Sequence, residues 1–560
     1  MRHLLPALIP ILLLACQPRQ YADLILTQAV VHTVEDAQPQ AQAVAIRGSQ
    51  IMAVGSNADL LRLAGPDTRI WDLGGRCVIP GFVEGHGHLM GTGQLKRSLD
   101  LSDVGSYDEL IERVAGAAAR TAPGTWIIGR GWHQSKWSPQ PPMVLGYQTH
   151  EALSARVPDH PVFLEHASGH AAFANAHAMR LAGIDGLAAA SDPSGEVLRY
   201  PDGRPTGIFT ESATALISRH IPADSPESLR QDLDAALAYC RENGVTAFHD
   251  AGVSQQDIDR YQAFLREDRM TLRIHAMLSG NDSVLLQTWF ARGPQVDKWL
   301  SVRAVKIYSD GALGSRGAWL IDPYTDRPDH YGNPLIDAAR LERLSSQALA
   351  AGFQVCTHAI GDAANRMVLD VYEAVLRQYP AQSGDARFRI EHAQHLHPDD
   401  IGRFAALGVL PAMQAIHMAS DRPWAIDRLG QARIESGAYM WQALLQSGAR
   451  IVNGSDTPVE PISPLASFYA SVTRQTLAGT PEGGYEPAQR MTRAQALRSY
   501  TLDATYGAFM EDFSGSIRPG KQADLVVLSQ DILAVPDAQL LGTQVDATLL
   551  DGKIIYQRQP

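Results

Sequence analysis

Along this chain the apolar residues fall in short runs between polar, Gly- and Pro-containing stretches, and the style of run changes with position. From residue 23 to 80 the runs are brief and β-rich: Asp23-Leu-Ile-Leu, Ala29-Val-Val-His-Thr-Val, Ala43-Val-Ala-Ile, Gln50-Ile-Met-Ala-Val-Gly, Arg69-Ile-Trp-Asp and Cys77-Val-Ile-Pro. Turn residues separate them, which predicts a small antiparallel sheet. The tail repeats the style in Ala523-Asp-Leu-Val-Val-Leu, Val545-Asp-Ala-Thr-Leu-Leu and Lys553-Ile-Ile-Tyr, with Asp551-Gly552 as a hairpin dipeptide. Residues 16–79 and 515–560 are therefore expected to be the two halves of one β-sandwich.

Between them, residues 80–514 alternate apolar strand-like runs with helical stretches, the pattern of an α/β protein with a helix-covered parallel sheet. Eight runs stand out: Pro80-Gly-Phe-Val-Glu-Gly-His, Val245-Thr-Ala-Phe-His-Asp, Leu272-Arg-Ile-His-Ala-Met, Ala304-Val-Lys-Ile-Tyr, Gln354-Val-Cys-Thr-His, Arg389-Ile-Glu-His, Val409-Leu-Pro-Ala-Met and Arg450-Ile-Val-Asn-Gly-Ser-Asp. Eight is the number a TIM (β/α)8 barrel needs. The count holds if residues from about 95 to 235 are a long insertion after the first strand, lying over the barrel mouth as a lid.

The first fifteen residues differ in kind. Arg2 precedes the apolar run Leu4 to Leu14, too short to span a bilayer, so residues 1–15 read as a signal peptide. Its end, Leu13-Leu14-Ala15-Cys16, resembles the bacterial lipobox, which makes Cys16 the expected lipidated first residue of an exported protein facing the periplasm. Gln17 in place of Asp favours the outer membrane. The formal charge of −12, one unit more negative without Arg2, makes nucleic acid and anionic membrane surfaces poor partners. Membrane contact is expected through the anchor alone, and a homodimer is compatible with the chain. Cys77, Cys240 and Cys356 are odd in number and far apart, no disulfide framework.

In a TIM barrel the active site lies at the C-terminal ends of the strands. Here most strand candidates end in a residue able to bind metal or substrate. His86 and His88 close the first, and Gly87 between them permits the bend that would turn both imidazoles to one metal. Lys306 lies near the end of the fourth, where a bare ammonium is costly to bury; carboxylated by carbon dioxide it would be an anion able to bridge two cations, otherwise a salt-bridge or substrate-binding ammonium. His358 and His392 end the fifth and sixth, and Asp456 the eighth.

With these residues in place the sequence resembles an amidohydrolase-superfamily hydrolase of the N-substituted formamide deformylase-like branch, amidohydrolase family 3. The likeness is carried by Ile79-Pro-Gly-Phe-Val-Glu-Gly-His-Gly-His, Gly129-Arg-Gly-Trp-His, Lys306-Ile-Tyr-Ser-Asp-Gly-Ala-Leu-Gly-Ser-Arg, Thr357-His-Ala-Ile-Gly-Asp, Ile390-Glu-His, Gly454-Ser-Asp-Thr-Pro and Gly515-Ser-Ile-Arg-Pro-Gly-Lys-Gln-Ala-Asp. It departs at Glu84-Gly85, where many relatives carry Asp-Ser. The resemblance implies that His86 and His88 bind one divalent metal, His358 and His392 a second, that Lys306 bridges as N6-carboxylysine, and that Asp456 is both ligand and general base. Zinc suits the imidazoles, carboxylate ligands also admit manganese, iron or cobalt, and the number of ions, one or two, stays open. The implied reaction is hydrolysis of a non-peptide carbon–nitrogen bond in a small molecule.

In the lid, Trp132 and His170 are the candidates for substrate recognition, or they pack the insertion. In the Gly-rich loop after the fourth strand, Asp310 and Arg316 face substrate or pair with each other. Asp250 and His275 are read as structural; His395, His397, His417 and Trp424 have no assigned role. Two rival readings remain: a lactonase, phosphotriesterase or deaminase on the same fold, and a non-catalytic binding lipoprotein. A binder has little use for a complete hydrolytic set.

Overall fold

Eight strands, each parallel to its neighbours and following one another across the sheet in chain order, make the centre of the molecule, a computed structural model that describes residues 21–184 and 195–559. They are β1 (Phe82–Gly87), β2 (Val245–Val253), β3 (Arg273–Ser279), β4 (Leu300–Tyr308), β5 (Gln354–Ala359), β6 (Arg389–His392), β7 (Leu410–Met413) and β8 (Val452–Asn453). Almost every residue in them is buried, as expected where helices cover one face and the sheet curls on the other. This sheet fits a TIM barrel. The signal-peptide reading of residues 1–15 and the lipidation of Cys16 lie outside the described residues, among which no helix is long and apolar enough to cross a membrane.

β8 is only two residues long, so the join between last strand and first is made by the residues that follow it. The N–H of Asp456 donates to His86 O at 2.8 Å, and that of His88 to Thr457 O at 2.7 Å. The Glu84 carboxylate accepts from the Ser455 N–H at 2.6 Å and from its hydroxyl at 2.7 Å. Gly85 is required here by space: a Cβ would stand 2.4 Å from Asn453 O.

After β1 the chain leaves the barrel. Segments 99–100, 127–132, 162–166, 171–174, 197–199 and 205–210 form a separate six-stranded mixed sheet. It has its own core, including Leu101, Leu110, Val114, Trp132, Leu164 and Phe173. The return is the helix Pro226–Glu242, started by the Ser225 cap with Pro226 in its first turn. Its apolar face, Leu233, Ala236, Leu237 and Cys240, packs into the barrel core beside Phe82 and Val245.

The chain ends supply two further sheets. One is built from Ala22–Thr27, Ala43–Arg47, Gln50–Gly55 and Ala64–Asp72; the other joins Val30–His32, Gln40–Ala41 and Cys77–Pro80 to Leu525–Leu528, Val545–Leu550 and Lys553–Gln557. The expectation of one antiparallel N-terminal sheet is corrected on two counts. The N-terminal strands divide between both sheets, and Ala22–Thr27 with Ala64–Asp72, like Val30–His32 with Cys77–Pro80, pair in parallel. Long connections between these partners allow the parallel pairing that a tight hairpin cannot. Leu24, Leu26, Val44 and Ile46 share a core with Leu525, Val527, Ala547 and Leu549. Asp551 and Gly552 both take positive φ (53° and 77°), the turn an Asp-Gly hairpin demands. Cys77, Cys240 and Cys356 are buried free thiols.

Candidate active site

The strand ends bring His86, His88, Lys306, His358, His392 and Asp456 into one cluster. In each of the four imidazoles one nitrogen is tied to the scaffold. His86 Nδ1 donates to Glu391, which is itself gripped by Arg389 through two bonds of 2.8 Å. His88 Nδ1 donates to Ala251 O at 2.9 Å and His392 Nδ1 to Gln414 Oε1 at 2.7 Å. His358 Nε2 faces Asp310 Oδ1 at 3.3 Å. The opposite nitrogen of each ring is thereby fixed as the one left for a ligand, which is how protein scaffolds orient metal-binding imidazoles.

Two of those nitrogens, on His86 and His88, face Asp456. Its Oδ1 lies 3.3 Å from His88 Nε2 and 3.6 Å from His86 Nε2, is buried, and makes no well-formed hydrogen bond. His86, His88 and Asp456 bring ligand atoms within 4.8 Å of one another, as do His392, His417 and Asp456. A buried, unpaired carboxylate oxygen facing imidazole nitrogens is a donor set suited to a divalent cation. Lys306 Nζ sits 3.0 Å from His86 Nε2 at the centre of the cluster.

Burial sets the charge states. It pushes His86 down to about 4, with Lys306 adding to the effect, and holds His392 far below its ordinary range. Neutral imidazoles are the form that binds metal. Burial would raise Asp456, but contact with His88 and the nearby His86 and His392 outweigh it and hold the carboxyl well below the usual range. Lys306 is drawn down to about 8 by desolvation, against the pull of Glu391 and Asp456.

Above the cluster lies a cavity walled by the barrel loops and by the insertion. The insertion gives it His133, Lys136, Ser168 and His170; the barrel gives Leu313, Gln394, His417, Asp421, Trp424 and Glu460. Of the proposed substrate-binding residues only His170 lines it. Trp132 is fully buried in the core of the insertion, its indole N–H donating to Leu164 O at 2.9 Å, and it is His133 beside it that faces the cavity. Asp310 is also corrected: its carboxylate is sealed under the loop, accepting from the N–H groups of Trp319, Ile360 and Gly361. Arg316 pairs with Asp326 at 2.9 Å and borders a neighbouring cavity. Asp250 and His275 are structural as expected, bonded to Tyr261 and Gln354.

Two further groups of residues belong to the site. Arg389 and Glu391 alternate in a buried strand, and charges there need partners; that pattern marks Glu391 as the orienting partner of a site residue. His417, Asp421 and Trp424 recur at the spacing of one helix face in Ala415–Leu429, and all three line the cavity.

A parallel barrel that gathers imidazoles, a lysine and a carboxylate at its strand ends is the architecture of metal-dependent hydrolases. The chain belongs to the amidohydrolase family, whose model, described as "Amidohydrolase family", matches residues 69–556. Membership makes the protein a hydrolase and implies a divalent metal. It is similar to Protein LONG AFTER FAR-RED 3 of Arabidopsis thaliana, 33% identical over 549 residues that cover 96% of this chain and 92% of the relative. N-substituted formamide deformylase of Arthrobacter pascens is 30% identical, with 96% and 99% covered. Among solved structures, an uncharacterized metal-dependent hydrolase from Pyrococcus horikoshii superposes with a TM-score of 0.73 at 25% identity, covering 92% of this chain and 99% of that one.

Proposed function

We propose that this protein hydrolyses a non-peptide carbon–nitrogen bond, of amide or formamide type, in a small molecule. The observation that carries the reading is Asp456 Oδ1, buried, without a well-formed hydrogen bond, and facing His86 and His88 beside the cavity. The name of the Arthrobacter pascens relative supports a formamide as the substrate group.

His86, His88 and Asp456 would hold one divalent ion, zinc by the preference of imidazole. His358 and His392 would hold a second, and Lys306, as N6-carboxylysine, would add a further ligand. Such an ion supplies Lewis acidity that makes water a nucleophile near neutral pH and polarises the substrate carbonyl. Asp456, ionised beside His86 and His88, takes a proton from the attacking water and passes it to the nitrogen as the carbon–nitrogen bond breaks. The acyl carbon leaves with the water oxygen and the nitrogen leaves as a protonatable amine. Glu391, Gln414 and Ala251 O keep the imidazoles aimed, and the insertion walls the cavity above them.

The shared core of the two end sheets supports reading 16–79 and 515–560 as one sandwich around a hydrolase domain of residues 80–514. The Leu4–Leu14 run and Cys16 support an exported protein anchored through Cys16 to the outer membrane.

The test is turnover of N-acyl, formamide, imide, lactone and phosphotriester substrates, beside metal analysis of wild type, His86→Ala and Asp456→Asn. Formamide or amide cleavage by a metal-loaded wild type, lost in both variants, is expected. Cleavage confined to lactones or phosphotriesters, a metal-free wild type, or full activity in Asp456→Asn would each overturn the reading.

A further inference from the structure

One residue of the insertion reaches into the barrel without belonging to the metal cluster. Glu211, just after the strand Pro205–Thr210, has a φ of 48°, a left-handed backbone that a glutamate adopts only under strain. Its side chain is 7% exposed. One carboxylate oxygen, Oε2, accepts from His170 Nδ1 at 2.8 Å. The other, Oε1, is buried without a hydrogen-bond partner.

The place that Oε1 occupies is shaped for it. A Cβ on Gly311 would stand 2.4 Å from this oxygen and one on Gly317 2.5 Å from it. Neither glycine has positive φ, so it is space and not backbone conformation that excludes a side chain there. These are the first and last glycines of Gly311-Ala-Leu-Gly-Ser-Arg-Gly317, the loop after β4, closed on itself by the Gly311 N–H to Gly317 O bond of 3.2 Å. The carboxylate of the insertion thus lies in a notch of the barrel loop, with His170 on its other side. His170 lines the cavity, and its ring centroid is 5.5 Å from that of His358. With Nδ1 committed to Glu211, Nε2 is the nitrogen it offers.

We infer that Glu211 is a positioning residue: seated between Gly311 and Gly317, it fixes the ring and tautomer of His170, so that the lid presents His170 Nε2 to the substrate's carbonyl or leaving nitrogen. Locking an imidazole through a carboxylate on its far nitrogen sets which nitrogen can donate or accept. A strained backbone and a buried lone oxygen persist because the notch over-determines them. The inference deepens the hydrolase reading, on which His170's role toward substrate rests; the Glu211–His170 linkage has a readout of its own.

The experiment is a double-mutant cycle between Glu211 and Gly311, with Glu211→Gln as the conservative control. It is read by kcat and KM on the fastest formamide or amide of the panel, by metal content, and by mass-spectrometric rates of His170 carbethoxylation with diethyl pyrocarbonate. Glu211→Ala should lower kcat by about 100-fold, the size of a misplacement near 1 Å, with metal content unchanged, and should carbethoxylate His170 several-fold faster because Nδ1 is released. Gly311→Ala, which drives the carboxylate out of its notch, should do the same. Combined with Glu211→Ala it should add less than about 2-fold, since both act through one contact. Glu211→Gln, which can still accept from Nδ1, should recover most of the loss. Wild-type labelling rate and kcat in Glu211→Ala, independent multiplication of the two single effects, or metal loss in Glu211→Ala would each overturn the inference. Should no substrate be turned over, the hydrolase reading fails by itself, while labelling rates in Glu211→Gln and Gly311→Ala still decide whether Glu211 holds His170.

Discussion

The backbone N–H of Asp456 donates to the carbonyl of His86 at 2.8 Å. The bond joins the end of the last barrel strand to the end of the first, and both residues it links carry donors of the candidate metal cluster. Closing the barrel and assembling the site are therefore one event. Asp456 has a φ of 59° and His392 one of 74°, left-handed values held in place by what surrounds them.

Gly454→Ala should break both at once. A Cβ there would meet Glu84 Oε1 at 2.3 Å and His86 N at 2.6 Å, and the second is backbone that cannot swing aside. Overpacking of this kind costs about 1–3 kcal/mol. Thermal unfolding should move down, and metal retained after gel filtration should fall with it. A variant as stable and as metal-loaded as wild type would show that the join tolerates separation.

Glu391→Gln keeps the shape of the side chain but removes the charge opposite Arg389. Arg389 and Glu391 are both fully buried, and one partner left alone in the interior is destabilising by about 3–5 kcal/mol. His86 also loses the carboxylate that holds its Nδ1. The expected result is a large drop in unfolding free energy in urea, together with metal affinity weaker by about 10- to 100-fold. Unchanged affinity would mean that Glu391 serves only Arg389.

Metal removal should weaken the fold without dissolving it, because the barrel core is apolar and continuous. An ion at 100 times its dissociation constant adds about 2.7 kcal/mol. Dialysis against a chelator should lower the unfolding temperature of wild type, and zinc should restore it. In His86→Ala the same treatment should shift the unfolding temperature by less than in wild type, and an undiminished shift would place the stabilising ion elsewhere.

Much of this was legible in the chain because the barrel strands are buried on both faces and read as apolar runs ended by polar residues. His86, His88, Lys306, His358, His392 and Asp456 stand out for that reason. Trp132 misled because an aromatic beside a glycine reads alike whether it faces a cavity or fills a core; the pleat turned it inward and its neighbour His133 outward. Asp310 misled because a carboxylate that caps backbone N–H groups leaves no trace in spacing. Parallel pairing of the end strands was hidden because it depends on partners far apart in sequence. Glu211 was hidden for the same reason, since its neighbours His170 and Gly311 come from other segments.

Asp421 offers a test through pH. It lines the cavity beside His417 and Glu460, and burial pushes its carboxyl up to about 6, with Glu460 adding to the rise and His417 and Lys136 opposing it. In the unfolded chain an aspartate titrates near 3.9. Between those values the unfolded state ionises while the folded state keeps its proton, so the stability tied to the protonated group is complete below about pH 4 and is lost as pH rises through about 6. Asp421→Asn mimics the protonated form at every pH. Its unfolding free energy relative to wild type should therefore rise between pH 4 and 7, by about 1–3 kcal/mol, and level off above. Urea titrations of both proteins at several pH values measure the difference. A gap that stays constant with pH would mean that Asp421 is ionised in the folded protein over that range, and that the cavity wall carries a fixed negative charge.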